Sequence, residues 1–169
     1  SLWFTDNGRD HMGDNLPDDE LNRADRAGLH FGFPFVHADG VSDPEFGKGA
    51  NAINAEPPVA LLGPHVAALG MSFYHRDGAF DNAFPDTPNT TAFIALHGSW
   101  NRSSKIGYEV IRVDTEGEEV TQIQTFVSGW LQGEQDWGRP VDVLVRPQGD
   151  LLISDDKAGL VYRVWYQTQ

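Results

Sequence analysis

An all-β fold with little helix is predicted by two features of the amino-acid sequence. No stretch keeps apolar residues at a 3.6-residue period for three clean turns. Short apolar runs recur instead at about ten-residue spacing, divided by turns rich in Gly and Asp, which is the rhythm of a sandwich, barrel or propeller.

Leu2–Thr5 reads as a short strand ended by Asp6-Asn7-Gly8. Arg9 to Arg26 is polar and acidic and reads as a long irregular loop, with at most a helical turn near Asp18–Leu21. A loop of that length without regular structure is uncommon unless it has a task. Leu29–Val36 alternates aromatic residues with Gly and Pro, and residues 38–57 form a second loop. Extended segments then follow at Val66–Tyr74, Thr91–Leu96, Gly107–Val113 and Val120–Val127, separated by turn-forming stretches at Arg76–Asn89, Gly98–Lys105 and Asp114–Glu119. The clearest signal is the triplet Val141–Val145, Leu151–Ser154 and Leu160–Tyr166, which predicts a three-stranded antiparallel meander with short connections. Ser72–Val127 repeats that short-strand rhythm, as adjacent propeller blades do, without strong internal identity.

The chain has 169 residues, and its ten Phe and five Trp are too much apolar surface for a disordered segment. With no Cys, a disulfide scaffold and a thiolate metal site are both excluded. A formal charge of -13 and scattered basic residues argue against nucleic acid and against an anionic membrane surface. The apolar runs Val59–Leu62 and Phe93–Leu96 are far shorter than the roughly 20 residues of a membrane helix. No signal peptide is visible, and a start within strand-like sequence suggests that a segment has been removed upstream, as in a processed or truncated secreted protein.

Three places carry candidate chemistry. Residues 6–22 are the densest polar cluster, and their carboxylates, amides and carbonyls suit Ca2+; a solvated loop is the alternative, and the EF-hand ligand spacing is absent. His97-Gly98-Ser99-Trp100-Asn101-Arg102 follows an apolar strand and offers an indole face and a guanidinium fork to a flat anion, or else a turn with a packed Trp. Trp137-Gly138-Arg139-Pro140-Val141-Asp142 has the same character, with an internal Arg139–Asp142 ion pair as the competing account. The six histidines show no zinc spacing, although His65 and His97 are the two best placed to face a pocket. Ser99 lacks the nucleophile-elbow setting, and no phosphate-binding glycine loop exists.

Three blocks together resemble the C-terminal half of the pyrroloquinoline-quinone-dependent soluble aldose sugar, glucose and sorbosone dehydrogenases. The first runs from Thr5-Asp6-Asn7-Gly8-Arg9 through Asp18-Asp19-Glu20-Leu21-Asn22 to Phe31-Gly32-Phe33-Pro34. The second is Ala95-Leu96-His97-Gly98-Ser99-Trp100-Asn101-Arg102 with Gly107-Tyr108, and the third runs from Gly138-Arg139-Pro140-Val141-Asp142 to Leu152-Ile153-Ser154-Asp155-Asp156. Their order and spacing cover nearly the whole chain.

The resemblance implies a six-bladed β-propeller of four-stranded blades, of which residues 1–169 supply about three. It implies pyrroloquinoline quinone and Ca2+ as cofactors, with the metal held by main-chain carbonyls that match Gly8 and Arg9. The family often has Pro where Arg9 stands, a change that leaves a carbonyl ligand intact. Arg102 and Arg139 fall near the positions that grip the quinone carboxylates, Trp100 lies in the same block as Arg102, and His65 falls near the channel. A second basic residue of the last cluster is replaced here by Val141. The family's catalytic base is a histidine upstream of Ser1, so no catalytic residue is assigned within this chain. The implied activity is oxidation of a sugar hydroxyl in the periplasm or outside the cell. The implied partners are a small sugar and either the upstream half of the propeller or a second copy of this chain. The alternative is a non-catalytic propeller-like binding or assembly module.

Overall fold

The computed structural model describes residues 1–75, 83–85, 87–88 and 90–167. Its strands are β1 (Leu2–Asp6), β2 (Asp18–Ala24), β3 (Val36–His37), β4 (Val41–Ser42), β5 (Ala60–Pro64), β6 (Ala68–His75) and β7 (Thr90–Leu96). They continue with β8 (Glu109–Glu116), β9 (Glu119–Val127), β10 (Leu131–Gln132), β11 (Gln135–Asp136), β12 (Pro140–Val145), β13 (Leu151–Asp155) and β14 (Leu160–Val164). Among the described residues the helical content is one 3-10 turn at Gly47–Ala52, so the all-β expectation is met. The expected turn stretch Arg76–Asn89 lies in large part outside the described residues.

The chain divides into two compact units, Ser1–Ala68 with Ser99–Ile106, and Leu69–Gly98 with Gly107–Gln169. In the first unit, β1, β2 and β5 form an antiparallel sheet with β2 in the centre. The expected helical turn at Asp18–Leu21 is therefore a strand. Its acidic composition disfavours strand formation in isolation, but β2 has a partner on each side, and its buried carboxylates accept hydrogen bonds from main-chain amides: Asp19 from Gly8 and Ala68, Glu20 from Ala38. The predicted loop is correspondingly shorter and ends at Pro17. Residues 38–57, expected as loop, contribute β4 and the 3-10 turn.

The second unit contains a four-stranded sheet in the order β6-β7-β8-β9, in which β7, β8 and β9 are antiparallel, and a three-stranded antiparallel one in the order β12-β13-β14. The second is the meander anticipated from sequence, with Val143 opposite Ile153 and Ile153 opposite Tyr162. Strand β7 is a continuous buried run because it lies inside its sheet, with strands on both sides. The core of this unit gathers Tyr74, Phe84, Phe93, Val110, Trp130, Leu151 and Ile153 among others. Phe93 meets Tyr74 edge to face at 5.8 Å, a favoured aromatic geometry. Gly70 is obligatory here: a Cβ would lie 2.5 Å from Asp142 Cα, so these two backbones approach closely only without a side chain.

Candidate functional site

The first unit holds a small recess built from four parts of the sequence. The loop after β1 contributes Asn7, Gly8 and Asp10, strand β2 contributes Asp19, the turn after β5 contributes His65 and Ala67, and the Ser99–Ile106 segment contributes Trp100 and Asn101. Its volume is about 130 Å³, well below the roughly 300–1,000 Å³ of pockets that enclose drug-sized ligands. It has room for a cation with its waters, or for one edge of a larger group.

Asp19 organises the floor. Its Oδ1 accepts from the Gly8 amide at 2.9 Å and its Oδ2 from the Ala68 amide at 3.2 Å. Burial pushes the Asp19 carboxyl above its usual range, while the amides of Gly8, Ala68 and Ala67 and the nearby His65 pull it back. A side chain at Gly8 would force a local shift: a Cβ there would sit 2.7 Å from Pro17 Cγ and 3.1 Å from the Asp18 carbonyl oxygen. Both His65 (φ 61°) and Ala67 (φ 53°) adopt the left-handed region that non-glycine residues avoid. Such strain persists only where surrounding contacts hold it. One of those contacts is His65 Nε2, which lies 2.8 Å from the Gly13 carbonyl. A carbonyl only accepts, so Nε2 carries the proton and donates.

The Ser99–Ile106 segment closes on itself through Ser99 N to Ile106 O and Ile106 N to Ser99 Oγ, both 3.0 Å. It then meets the acidic loop. Asn101 Nδ2 donates to Asp10 Oδ1 at 2.8 Å, the Ser103 amide donates to Asp14 Oδ1 at 3.0 Å, and His11 stands edge-on to Trp100 at 5.7 Å. The hydrogen bond from the Ser103 amide lowers the Asp14 pKa. Trp100 remains 64% exposed.

The positions singled out by sequence divide clearly. Gly8, His65 and Trp100 line the recess together. The Arg9 side chain leads elsewhere, donating from Nη1 to Asp43 at 2.6 Å and from Nη2 to Glu45 at 3.3 Å. Arg102 donates from Nε to the Ser104 carbonyl at 3.2 Å, and its Nη1 is buried without a hydrogen-bond partner. Arg139 belongs to the second unit. There its Nε and Nη2 donate to the carbonyls of His97 and Gly98 at 3.1 and 2.5 Å, and its guanidinium lies 5.4 Å from the Tyr108 ring centre. The alternative account, an Arg139–Asp142 ion pair, does not describe it: the guanidinium is taken up by those carbonyls, Asp142 Oδ1 accepts from the Val143 amide at 2.8 Å, and the Arg139 amide donates to Asp155 at 2.9 Å. Asp19 and Asn101 were not singled out individually. An Asp two residues before a buried Leu carries no signal that it braces main-chain amides.

The donor set tests the fit of a metal. Among the described residues no group of three or more His, Asp or Glu side chains is placed to hold an ion, so a carboxylate cage is excluded there. What lines the recess is nevertheless oxygen-rich, from Asn7, Asp10, Asp19 and Asn101. Gly8 sits so close to Pro17 and Asp18 that only a residue without a side chain presents its main chain there. This suits a hard cation bound through main-chain carbonyls and waters, with nearby negative charge as long-range support. For a flat quinone, the fitting feature is the exposed Trp100 indole.

The model of the TrAA12-like family matches residues 20–167. A protein of Borreliella burgdorferi, uncharacterised, is 38% identical over 170 residues, covering 98% of this chain and 44% of that protein. The pyrroloquinoline quinone-dependent pyranose dehydrogenase of Coprinopsis cinerea is 32% identical over 129 residues, covering 64% of this chain and 16% of the enzyme. The calcium structure of the Trichoderma reesei family AA12 enzyme superposes with a TM-score of 0.71 at 18% identity, covering 95% of this chain and 47% of that one. The holo form of the Coprinopsis cinerea pyranose dehydrogenase quinone domain gives 0.61 at 22% identity, with 94% and 48% covered. The structural likenesses establish a shared fold. The chain spans less than half the length of each of these relatives. With the family model matched over most of its residues, the chain belongs to the TrAA12-like family.

Proposed function

We propose that this chain is the part of a quinoprotein oxidoreductase that binds pyrroloquinoline quinone and Ca2+, in an enzyme that oxidises sugar hydroxyl groups. The observation that carries this reading is the convergence of Gly8, His65 and Trp100, from separate parts of the sequence, on one oxygen-rich recess. Membership of the TrAA12-like family supports it, as do the quinone-dependent dehydrogenase among the relatives and the calcium structure among the neighbours. The proposed architecture is a six-bladed propeller to which the four-stranded sheet and the three-stranded sheets contribute about three blades.

Within this reading the main-chain carbonyls of Gly8 and Arg9 hold the metal, and the Trp100 indole supports the flat cofactor. Arg102 supplies positive charge for the cofactor's carboxylates. Arg139 takes part chiefly by fixing the His97–Gly98 main chain through its Nε and Nη2. His65 keeps the acidic loop in place through Gly13 and is not the base, because its Nε2 proton is already donated. When bound, the metal would supply Lewis-acid polarisation and the quinone a hydride-accepting group. Proton removal from the sugar falls to a histidine outside these residues, contributed by an upstream half of the propeller. The proposed site of action is the periplasm or the extracellular space; no described helix is long and apolar enough to cross a membrane.

The test is calorimetric titration of the chain with Ca2+ and then with the quinone, followed by dye reduction with an aldose once the upstream half is supplied. Saturable uptake of both, and Ca2+-dependent reduction, are expected. A chain that binds neither overturns the reading. Binding without reduction in the reconstituted protein favours a non-catalytic binding or assembly module, to which the engagement of Arg139 by two carbonyls already lends weight.

A further inference from the structure

Asp43 is one of the most thoroughly engaged side chains of the first unit, yet it touches nothing in the recess. The residue is 4% exposed. Its Oδ2 accepts from Arg9 Nη1 at 2.6 Å and from His37 Nε2 at 2.9 Å, and its Oδ1 accepts from the amides of Glu45 at 2.8 Å and Phe46 at 2.7 Å. Its own main chain is fixed as well, the amide to the Phe35 carbonyl and the carbonyl to the Gly47 amide, both at 2.9 Å. The result is a carboxylate fixed through both of its oxygens and through its own main chain, 34 residues from Arg9 in sequence.

Arg9 stands in an irregular loop between β1 and β2. On its N-terminal side, the Gly8 amide is fixed by Asp19 Oδ1 at 2.9 Å. On its own side, the Arg9 guanidinium is gripped by Asp43 and, more weakly, by the exposed Glu45 at 3.3 Å. The chain at Gly8 and Arg9 is thus tethered by carboxylates from two other parts of the sequence, at the Gly8 amide by Asp19 and through the Arg9 side chain by Asp43. A cation bound by main-chain oxygens gains little if the loop has to be ordered at the moment of binding, because that ordering entropy is subtracted from the affinity.

We infer that Asp43 is a positioning residue: acting through the Arg9 guanidinium, it pre-sets the Gly8 and Arg9 carbonyls for a hard divalent cation. This rests on the assignment of those two carbonyls to the metal, made above. Outer partners that orient metal ligands typically cost about 10–100-fold in affinity when removed.

The test is Ca2+ affinity by isothermal calorimetry on the purified chain for wild type, Arg9→Ala, Asp43→Asn and the double variant, with thermal midpoint and circular dichroism alongside. Each single variant is expected to weaken Ca2+ binding about tenfold, and the double variant no further, since both remove one strut. Multiplicative losses in the double variant overturn the proposal, because Asp43 then acts through its other contacts, as does wild-type affinity in Asp43→Asn. Should Asp43→Asn fail to fold, Arg9→Lys decides: it keeps an ion pair and is expected within about threefold of wild type, against tenfold for Arg9→Ala. Arg9→Ala at wild-type affinity overturns the strut while leaving the carbonyl site intact. A folded wild-type chain that takes up no Ca2+ overturns the carbonyl assignment itself, and the strut with it.

Discussion

Asp6 and Glu20 lie directly opposite each other on the β1–β2 ladder, and both carboxylates are withdrawn from water. Directly paired residues project to the same face, so the two negative charges are neighbours. Burial raises the pKa of each. The charge of His37 opposes the rise at Asp6, and for Glu20 the Asn22 amide and the Ala38 amide do so, while Asp6 adds to it. Asn22, fully buried beside them, donates from Nδ2 to Glu20 and leaves its Oδ1 without a partner.

A carboxyl whose folded pKa lies above its unfolded one stabilises the fold only while protonated. That contribution is complete below the ordinary carboxylate range and is lost as the pH rises through the raised value. Glu20→Gln removes the charge, keeps an acceptor for Ala38, and can donate to an Asn22 amide turned over to meet it. The thermal midpoint at pH 7 is expected to rise by roughly 2–4 °C per kcal/mol gained, with a flatter profile between pH 4 and 7. A lower midpoint for the variant at pH 7 would show that the ionised form is the stabilising one.

Asp150 behaves in the opposite sense. Arg146 and Arg163 both pair with its buried carboxylate, and the hydrogen bond from Arg146, joined by that from Arg163, brings its pKa down to about 2. Stability from this group is present above the unfolded carboxylate pKa and is lost as the pH falls toward about 2. Asp150→Asn should lower the midpoint by several degrees at pH 7 and by little at pH 2, measured by calorimetry at both values. An equal drop at both would assign the effect to the turn at Gly149 rather than to charge.

Gly8→Ala sets the new Cβ against Pro17 Cγ and the Asp18 carbonyl. The carbonyl is main chain and the proline ring is stiff, so the loop must move. Urea unfolding is expected to show a loss of about 1–3 kcal/mol, and Ca2+ titration a loss of detectable binding. Unchanged stability and affinity would mean that the loop shifts freely and that Gly8 does not shape the recess.

Trp100→Ala separates support of a cofactor from support of the fold. With its indole 64% exposed, the residue contributes little core burial, and the midpoint should stay within about 2 °C. Quinone affinity, followed by quenching of the remaining tryptophans, should fall by about tenfold, as expected for a stacking side chain worth roughly 1.4 kcal/mol. Retained affinity would remove Trp100 from the proposed site.

The strands from Pro140 to Val164 were legible because each is short, apolar in alternation and bounded by a turn, so neighbours in sequence are also neighbours in the sheet. Strand β2 was not. Asp18-Asp19-Glu20 becomes strand only through β1, through β5 some forty residues away, and through the amides that satisfy its carboxylates. Much the same division runs through the site. Gly8, His65 and Trp100 could be singled out by residue type and by family likeness, whereas the task of the Arg9 side chain could not, since its partner Asp43 is 34 residues away.

What the amino-acid sequence determined by itself is therefore local and compositional: the all-β character, the absence of thiol chemistry, the acidic loop and the family. What only the tertiary structure decided is which polar groups meet. It directed Arg9 to Asp43, Arg139 to the His97 and Gly98 carbonyls, and Asp19 to the amides beneath the recess. The physical reason is that apolar periodicity is set by the nearest neighbours along the chain, while the partner of a buried charge is chosen by whichever donors folding brings within about 3 Å.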